Sequence, residues 1–101
     1  MKNKIVTLVP GACIYHDIKN ERLLLAEVEL PGVKKEDTEL DVNEDGFCVR
    51  AKRKNYIYDS CFETAHRIEP DKTTARFQEG LLRLSMPIRS EAAHARTIAI
   101  R

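Results

Sequence analysis

The sequence lacks tryptophan, long apolar runs and an excess of charge of either sign. Its 101 residues carry 17 basic and 16 acidic side chains, a formal net charge of +1, so no long-range field attracts nucleic acid or an anionic membrane. The apolar stretches fall far short of the roughly 20 residues that cross a bilayer, and the segment after Met1–Lys4 is too short for a secretory signal. These absences favour a cytoplasmic protein that recognises its partners by local contacts.

Cysteine is scarce and irregularly placed. The three cysteines, Cys13, Cys48 and Cys61, are odd in number and lack the spacing of a zinc site. This pattern also argues against a disulfide framework. We therefore expect reduced thiols that serve as small, core-filling side chains.

Catalytic motifs are also missing from the sequence. No serine or cysteine lies in a nucleophile elbow, and no glycine-rich phosphate loop precedes a helix. His16, His66 and His94 are far apart and have polar neighbours, which predicts surface positions. The basic cluster Lys52–Lys54 has acidic residues close by and is typical of a solvated face. We expect neither an enzyme nor a bound metal or cofactor.

The sequence does contain strand patterns. Over residues 26–30, apolar side chains alternate with glutamates until Pro31 and Gly32 end the strand. Over residues 75–86 a similar alternation passes through Glu79–Gly80, a two-residue hairpin turn. A chain of this length is enough for one domain. The predicted fold is an all-β antiparallel sandwich.

Several short motifs follow one another in a characteristic order. They are Leu30–Asp37, Leu40–Val42, Glu69–Lys72 and Ala75–Leu82. Together with Ile98-Ala-Ile100 near the end of the chain, they resemble the alpha-crystallin domain of the small heat-shock proteins. The resemblance implies an immunoglobulin-like antiparallel β-sandwich over residues 12–88, a short N-terminal arm over residues 1–11 and a tail over residues 89–101.

The resemblance also implies a binding groove. In the family, an isoleucine-x-isoleucine anchor in the tail enters a groove between two strands, which correspond here to residues 38–43 and 74–78. Ile98 and Ile100 stand at alternate positions, so both side chains point the same way in an extended tail. The candidates to line this groove, or to form the core just beneath it, are Leu40, Val42, Ala75 and Phe77. The alternative is that Ile98 and Ile100 complete the sheet of their own domain.

A family feature is absent after the basic cluster. Many relatives insert a long loop there that crosses to a partner subunit, whereas here only Lys54–Asn55 precede the next strand. We therefore expect no strand-swapped dimer, and favour a dimer through the edge of the strand over residues 56–64. Its interface candidates are Tyr56, Tyr58 and Phe62, because aromatic side chains suit strands and interfaces.

The function implied by the resemblance is that of an ATP-independent holdase. Its partners would be partly unfolded proteins and further copies of the chain. The alternative is a co-chaperone or adaptor that docks on a larger chaperone or targeting ATPase. The anchor Ile98-x-Ile100 favours the holdase, and the short arm favours the adaptor. The arm segment Lys2–Val9 is expected either to form an adhesive strand at a sheet edge or to cover part of the core.

Overall fold

The computed structural model describes residues 5–90 and 98–101, and it is built almost entirely of β-strands. Short 3₁₀ turns lie at Lys35–Asp37 and Pro70–Lys72. The arrangement of the strands in two sheets confirms the predicted all-β sandwich. No helix in these residues is long and apolar enough to span a bilayer. The strands are β1 (Val6–Leu8), β2 (Ala12–His16), β3 (Leu23–Glu29), β4 (Thr38–Asn43), β5 (Gly46–Arg53), β6 (Tyr56–Glu63), β7 (Thr74–Gln78) and β8 (Leu81–Pro87).

The strands form two sheets of four. The strand order is β1-β6-β5-β4 in one sheet and β2-β3-β8-β7 in the other. Every pair is antiparallel except β1 with β6, where Val6 lies opposite Tyr56 in a parallel ladder. The parallel strand, β1, belongs to the N-terminal segment, outside the residues 12–88 predicted to form the antiparallel sandwich. A tight turn fixes the direction of neighbours in a hairpin, but β1 reaches β6 only after the chain has passed through the other sheet.

The hairpins β4–β5 and β7–β8 both have two-residue connections, and the second of these is the predicted turn at Glu79–Gly80. Glu44–Asp45 connect β4 to β5, and Gly46 follows with φ +156°. A Cβ atom at Gly46 would collide with the carbonyl oxygen of Phe62, so glycine is required by this close approach. Glu79–Gly80 connect β7 to β8 with φ values of 51° and 77°, the paired positive angles of a type I′ turn.

The core forms where the inward faces of the two sheets meet. Apolar side chains at alternate positions of β3, β5 and β8 are buried there, as the period-two patterns predict. Ile68 also belongs to the core, although the loop between β6 and β7 gave no strand signal. It is fully buried, its N–H donates to the carbonyl oxygen of Glu44 at 2.9 Å, and it forms a β-bridge with Ile88. Burial of such a side chain contributes about 1.5–3 kcal/mol.

The cysteine prediction is wrong, because two of the three residues are oxidised and none of them fills the core. Cys48 and Cys61 form a disulfide between β5 and β6. They are directly opposed in the ladder, with a Cα–Cα distance of 4.0 Å. Neither fills the core, because the inward positions of β5 belong to Phe47 and Val49, on the opposite face. Cys13 is a free, exposed thiol on β2.

Candidate binding groove between two sheet edges

The candidate groove lies along the side of the sandwich bordered by β4 and β7. Each of these strands is the last in its sheet. At the opposite side, β1 and β2 are joined by only Val9–Gly11, a connection that spans at most about 14 Å. Because packed sheets lie about 10 Å apart, β1 must stack over β2. The edges of β4 and β7 are thereby left together on the other side.

Strand β4 contributes a half-buried apolar row to the groove. Leu40 lies opposite Val49, and Val42 lies opposite Phe47, both of which are buried. Leu40 and Val42 therefore face inward, and they pack against the core cluster. They are only partly buried themselves, because no described strand continues the sheet beyond β4.

Strand β7 contributes the facing row. Ala75 lies opposite the buried Leu84, and Phe77 lies opposite the buried Leu82, so both point toward the inside of the sandwich. Phe77 is partly buried against the core, whereas Ala75 is exposed. Because β7 is the last strand of its sheet, an inward-facing residue on it can stay exposed. Ala75 therefore borders the region between the inward-facing rows of β4 and β7, which is called the slot below.

The chemistry of this side of the sandwich suits an extended peptide. Each edge strand presents backbone donors and acceptors along one side, and the slot between them is lined by apolar side chains. Residues on the outward faces carry both signs of charge, with Glu39 and Asp41 on β4 and Arg76 on β7, all exposed. In residues 5–90 and 98–101, no group of three or more histidine, cysteine or acidic side chains has the geometry of a metal site. The arrangement therefore favours strand addition with side-chain pockets.

The predicted tail anchor lies outside both sheets. Ile98 and Ile100 are 76% and 98% exposed and belong to no strand. The alternative in which they complete the sheet of their own domain is not the arrangement in this structure. The polar segment before them, predicted to be a linker, falls largely in residues 91–97, outside the described part of the chain.

The predicted dimer residues occupy two environments. Tyr58 and Phe62 face inward and pack against the core, with the Phe62 ring 5.1 Å from that of Phe47. Tyr56 is 44% exposed. The β5–β6 connection is Lys54–Asn55, as the sequence predicts. The two inward-facing side chains thus stabilise their own sandwich, and a partner would meet the strand chiefly through its backbone.

Strand β1 covers part of that backbone. It pairs with β6 at Tyr56–Tyr58, and the N–H of Val6 donates to the carbonyl oxygen of Asn55 at 2.8 Å. The rest of β6, Asp59–Glu63, has no such neighbour among the described residues. Of the two roles considered for the N-terminal segment, the structure shows a strand at a sheet edge. Ile5 and Val6 remain 60% and 44% exposed.

The fold also brings two histidines together, which the sequence did not indicate. His16 and His66 are exposed, as predicted, yet their ring centroids are 5.3 Å apart with the rings near perpendicular. They belong to β2 and to the loop after β6, so only the sandwich topology makes them neighbours. His94 lies outside the described residues.

Comparison with known sequences identifies relatives of the chain. The model of the "Hsp20/alpha crystallin family" matches residues 17–101. The "Probable 15 kDa heat shock protein" of Leptospira interrogans serogroup Icterohaemorrhagiae serovar Lai (strain 56601) is 26% identical over 102 residues, with 87% of this chain and 76% of that protein covered.

Solved structures share the same sandwich. Heat shock protein 16.0 from Schizosaccharomyces pombe matches with a TM-score of 0.74 and 21% identity, covering 94% of this chain and 77% of that one. A small heat-shock protein from Xylella fastidiosa, described as having a distinct high order structure, matches with a TM-score of 0.68 and 18% identity, covering 93% and 97%. At these identities the likeness shows the fold.

Proposed function

This chain belongs to the Hsp20/alpha-crystallin family, and on that premise we propose that it is an ATP-independent chaperone that binds partly unfolded proteins and prevents their aggregation. One observation carries the proposal. The sandwich leaves an apolar slot between two free sheet edges, while the isoleucines suited to fill it, Ile98 and Ile100, are exposed outside both sheets. Both features suit partners in extended conformation.

The first partner proposed is the tail of another copy. In this arrangement residues 89–101 form a tail beyond the sandwich of residues 12–88, and its two isoleucines enter the groove of a second chain. Leu40, Val42 and Phe77 would contact these side chains, and the exposed Ala75 would admit one of them. Self-association by this route needs no covalent link and no contribution from β6.

The energetics favour a reversible contact. Burial of two isoleucines contributes about 3–6 kcal/mol. Ordering each residue of the tail costs about 1–2 kcal/mol, so a single tail in a single groove is weak. Several tails within one assembly act together through their effective concentration. Such an assembly is stable as a whole, yet each groove opens often enough to receive an unfolded segment instead of a tail.

The double variant Ile98→Ala/Ile100→Ala tests the tail contact. We expect its mass in light scattering to fall relative to the unaltered chain, because the anchor has lost its apolar area. Ala99→Ser is the matched control, since it changes the same segment and leaves both isoleucines in place. An unchanged mass for the double variant would contradict tail exchange between copies.

Client binding has a separate test. Heat-induced aggregation of a model protein is followed by turbidity, without ATP, in the presence of a molar excess of the chain. Suppression is the expected result, because free grooves and edges bind the exposed apolar segments of the client. Absence of suppression at several-fold excess would argue against the holdase and in favour of an adaptor that docks on a larger chaperone.

A further inference from the structure

The Cys48–Cys61 disulfide has no part in the groove or in the core. Both cysteines lie on the outward face of the sheet, with Cys61 exposed and Cys48 partly buried. Their neighbours on this face are polar, with Asp41 opposite Cys48 and the pair Arg50 and Asp59 in the next row. A bond in this position is open to reagents in solution, unlike a disulfide enclosed in a core.

The two halves of β6 differ in how many neighbouring strands they have. Residues Tyr56–Tyr58 pair with β5 on one side and with β1 on the other. Residues Asp59–Glu63 pair with β5 alone within the described part of the chain, and beyond them the N–H of Thr64 donates to the carbonyl oxygen of Asp45 at 2.9 Å. The disulfide joins β5 to the half of β6 that has a single neighbouring strand.

We propose that Cys48 and Cys61 are a reversible dithiol–disulfide site that fixes the Asp59–Glu63 half of β6 when oxidised and releases it when reduced. In the β5–β6 register Cys48 lies directly opposite Cys61, so the bond can form again whenever this half of β6 pairs with β5. The oxidised pair is the state in this structure. Reduced thiols are the state expected in a cytoplasm, where thiol buffers reduce accessible disulfides.

Small thiols can reduce this disulfide, and small disulfides can form it again. For reduction, one thiolate of a dithiol attacks the Sγ of Cys61, the more exposed partner, and Cys48 leaves as a thiolate. The second thiolate of the reagent then attacks the mixed disulfide and releases Cys61, so two thiols form and the reagent becomes a cyclic disulfide. For oxidation, glutathione disulfide accepts the two electrons and leaves as two glutathione thiols.

The first test counts free thiols in the folded chain. The protein is equilibrated in glutathione buffers of varied ratio, quenched with an alkylating reagent and weighed by intact mass spectrometry. The chain carries Cys13→Ser, because glutathione disulfide would also modify the exposed Cys13 thiol. With Cys48 and Cys61 as the remaining cysteines, we expect a reversible change from no label to two. No label in every buffer, or two in every buffer, would overturn the proposal.

The second test compares the two sulfur atoms. In a Cys13→Ser background, Cys48→Ser leaves only Cys61, and Cys61→Ser leaves only Cys48. We expect glutathione disulfide to modify Cys61 several-fold faster than Cys48, because Cys61 is the more exposed. Equal rates, or a faster Cys48, would contradict attack at Cys61.

The third test addresses the effect on β6 and needs no substitution. Amide hydrogen exchange is measured on the unaltered chain with and without a dithiol. Reduction is expected to accelerate exchange in Asp59–Glu63 and to leave Tyr56–Tyr58 unchanged, since those residues keep both neighbouring strands. Equal acceleration in both halves, or none in either, would show that the disulfide does not control this part of the strand.

Discussion

The two edges of the β1-β6-β5-β4 sheet differ in what they leave exposed. At one edge, β1 of the same chain occupies the backbone of β6 over Tyr56–Tyr58, yet its own apolar residues Ile5 and Val6 stay largely in solvent. At the other edge, β4 half-buries its apolar side chains and no described strand pairs with its free side. An exposed sheet edge invites further pairing. The chain thus covers part of one edge itself and leaves the other without a described partner strand.

Strand β7 extends the same contrast to the second sheet. Its edge is also unpaired within the described residues, and its inward-facing Ala75 is exposed. Two free edges with apolar side chains between them would select peptides more strictly than a single free edge. A bound peptide would have to match both the backbone pairing and the side-chain pocket.

The largest effect is expected from a substitution that prevents binding in the slot between β4 and β7. Ala75→Asp places a carboxylate in the slot. Binding of an isoleucine there would remove this carboxylate from water, and the cost should weaken tail binding at least about tenfold. Because Ala75 is exposed, the free energy of unfolding should change by no more than about 1 kcal/mol. The measurement is the concentration dependence of mass in light scattering.

Thr74→Asp is the control for this variant. Thr74 is also exposed on β7, but it lies opposite Ser85 and faces outward, away from the slot. It adds the same charge to the same strand. Equal loss of assembly in both variants would show that charge on β7, rather than occupation of the slot, is responsible.

A smaller effect is expected from detaching β1 from β6. Val6→Pro removes the N–H that donates to Asn55, a bond that contributes about 1 kcal/mol, and so should detach β1. Hydrogen exchange at Tyr56–Tyr58 should rise, while Val6→Ala, which retains the donor, should leave it near the original rate. Similar protection in both variants would mean that side-chain packing, not backbone pairing, keeps β1 in place.

The smallest effect concerns the end of β4. Arg89, in the segment that leads to the tail, donates from Nη1 to Glu44 Oε1 at 2.7 Å, and Arg67 Nη1 lies 4.0 Å from Glu44 Oε2. Because Glu44 and Arg67 are exposed and Arg89 is only partly buried, Glu44→Gln should lower the free energy of unfolding by about 0.5 kcal/mol.

Urea unfolding at two ionic strengths checks this value. The difference between Glu44→Gln and the unaltered chain should shrink at about 1 M salt, where surface charges are screened. Glu36→Gln, in the exposed Lys35–Asp37 turn, is the matched control. A difference that persists in salt would point to a role other than ion pairing.

Local patterns in the sequence were sufficient for most of the strands. Leu40 and Val42 alternate with acidic residues, and Glu79–Gly80 has the residue types of a tight hairpin, so each element could be predicted from its own few residues. The same patterns predicted which side chains of β4 and β7 face inward. The exposure of Ala75 required knowledge of how the two sheets meet.

Features that depend on distant parts of the chain were not predicted. The parallel pairing of β1 with β6, the burial of Ile68 in a loop and the contact between His16 and His66 each join segments with no shared local pattern. The cysteine prediction failed for a different reason. The Lys54–Asn55 connection sets a register in which Cys48 lies opposite Cys61, but the odd number of cysteines was interpreted as evidence against any disulfide.

The parallel ladder between β1 and β6 has a consequence for biosynthesis. Val6 leaves the ribosome long before Tyr56, its partner in the ladder, has been made. The apolar residues of β1 therefore have no partner strand while most of the other strands are still being translated. Contacts between such distant positions are slow to form, so for that interval a nascent copy exposes the kind of apolar segment that the proposed chaperone would bind.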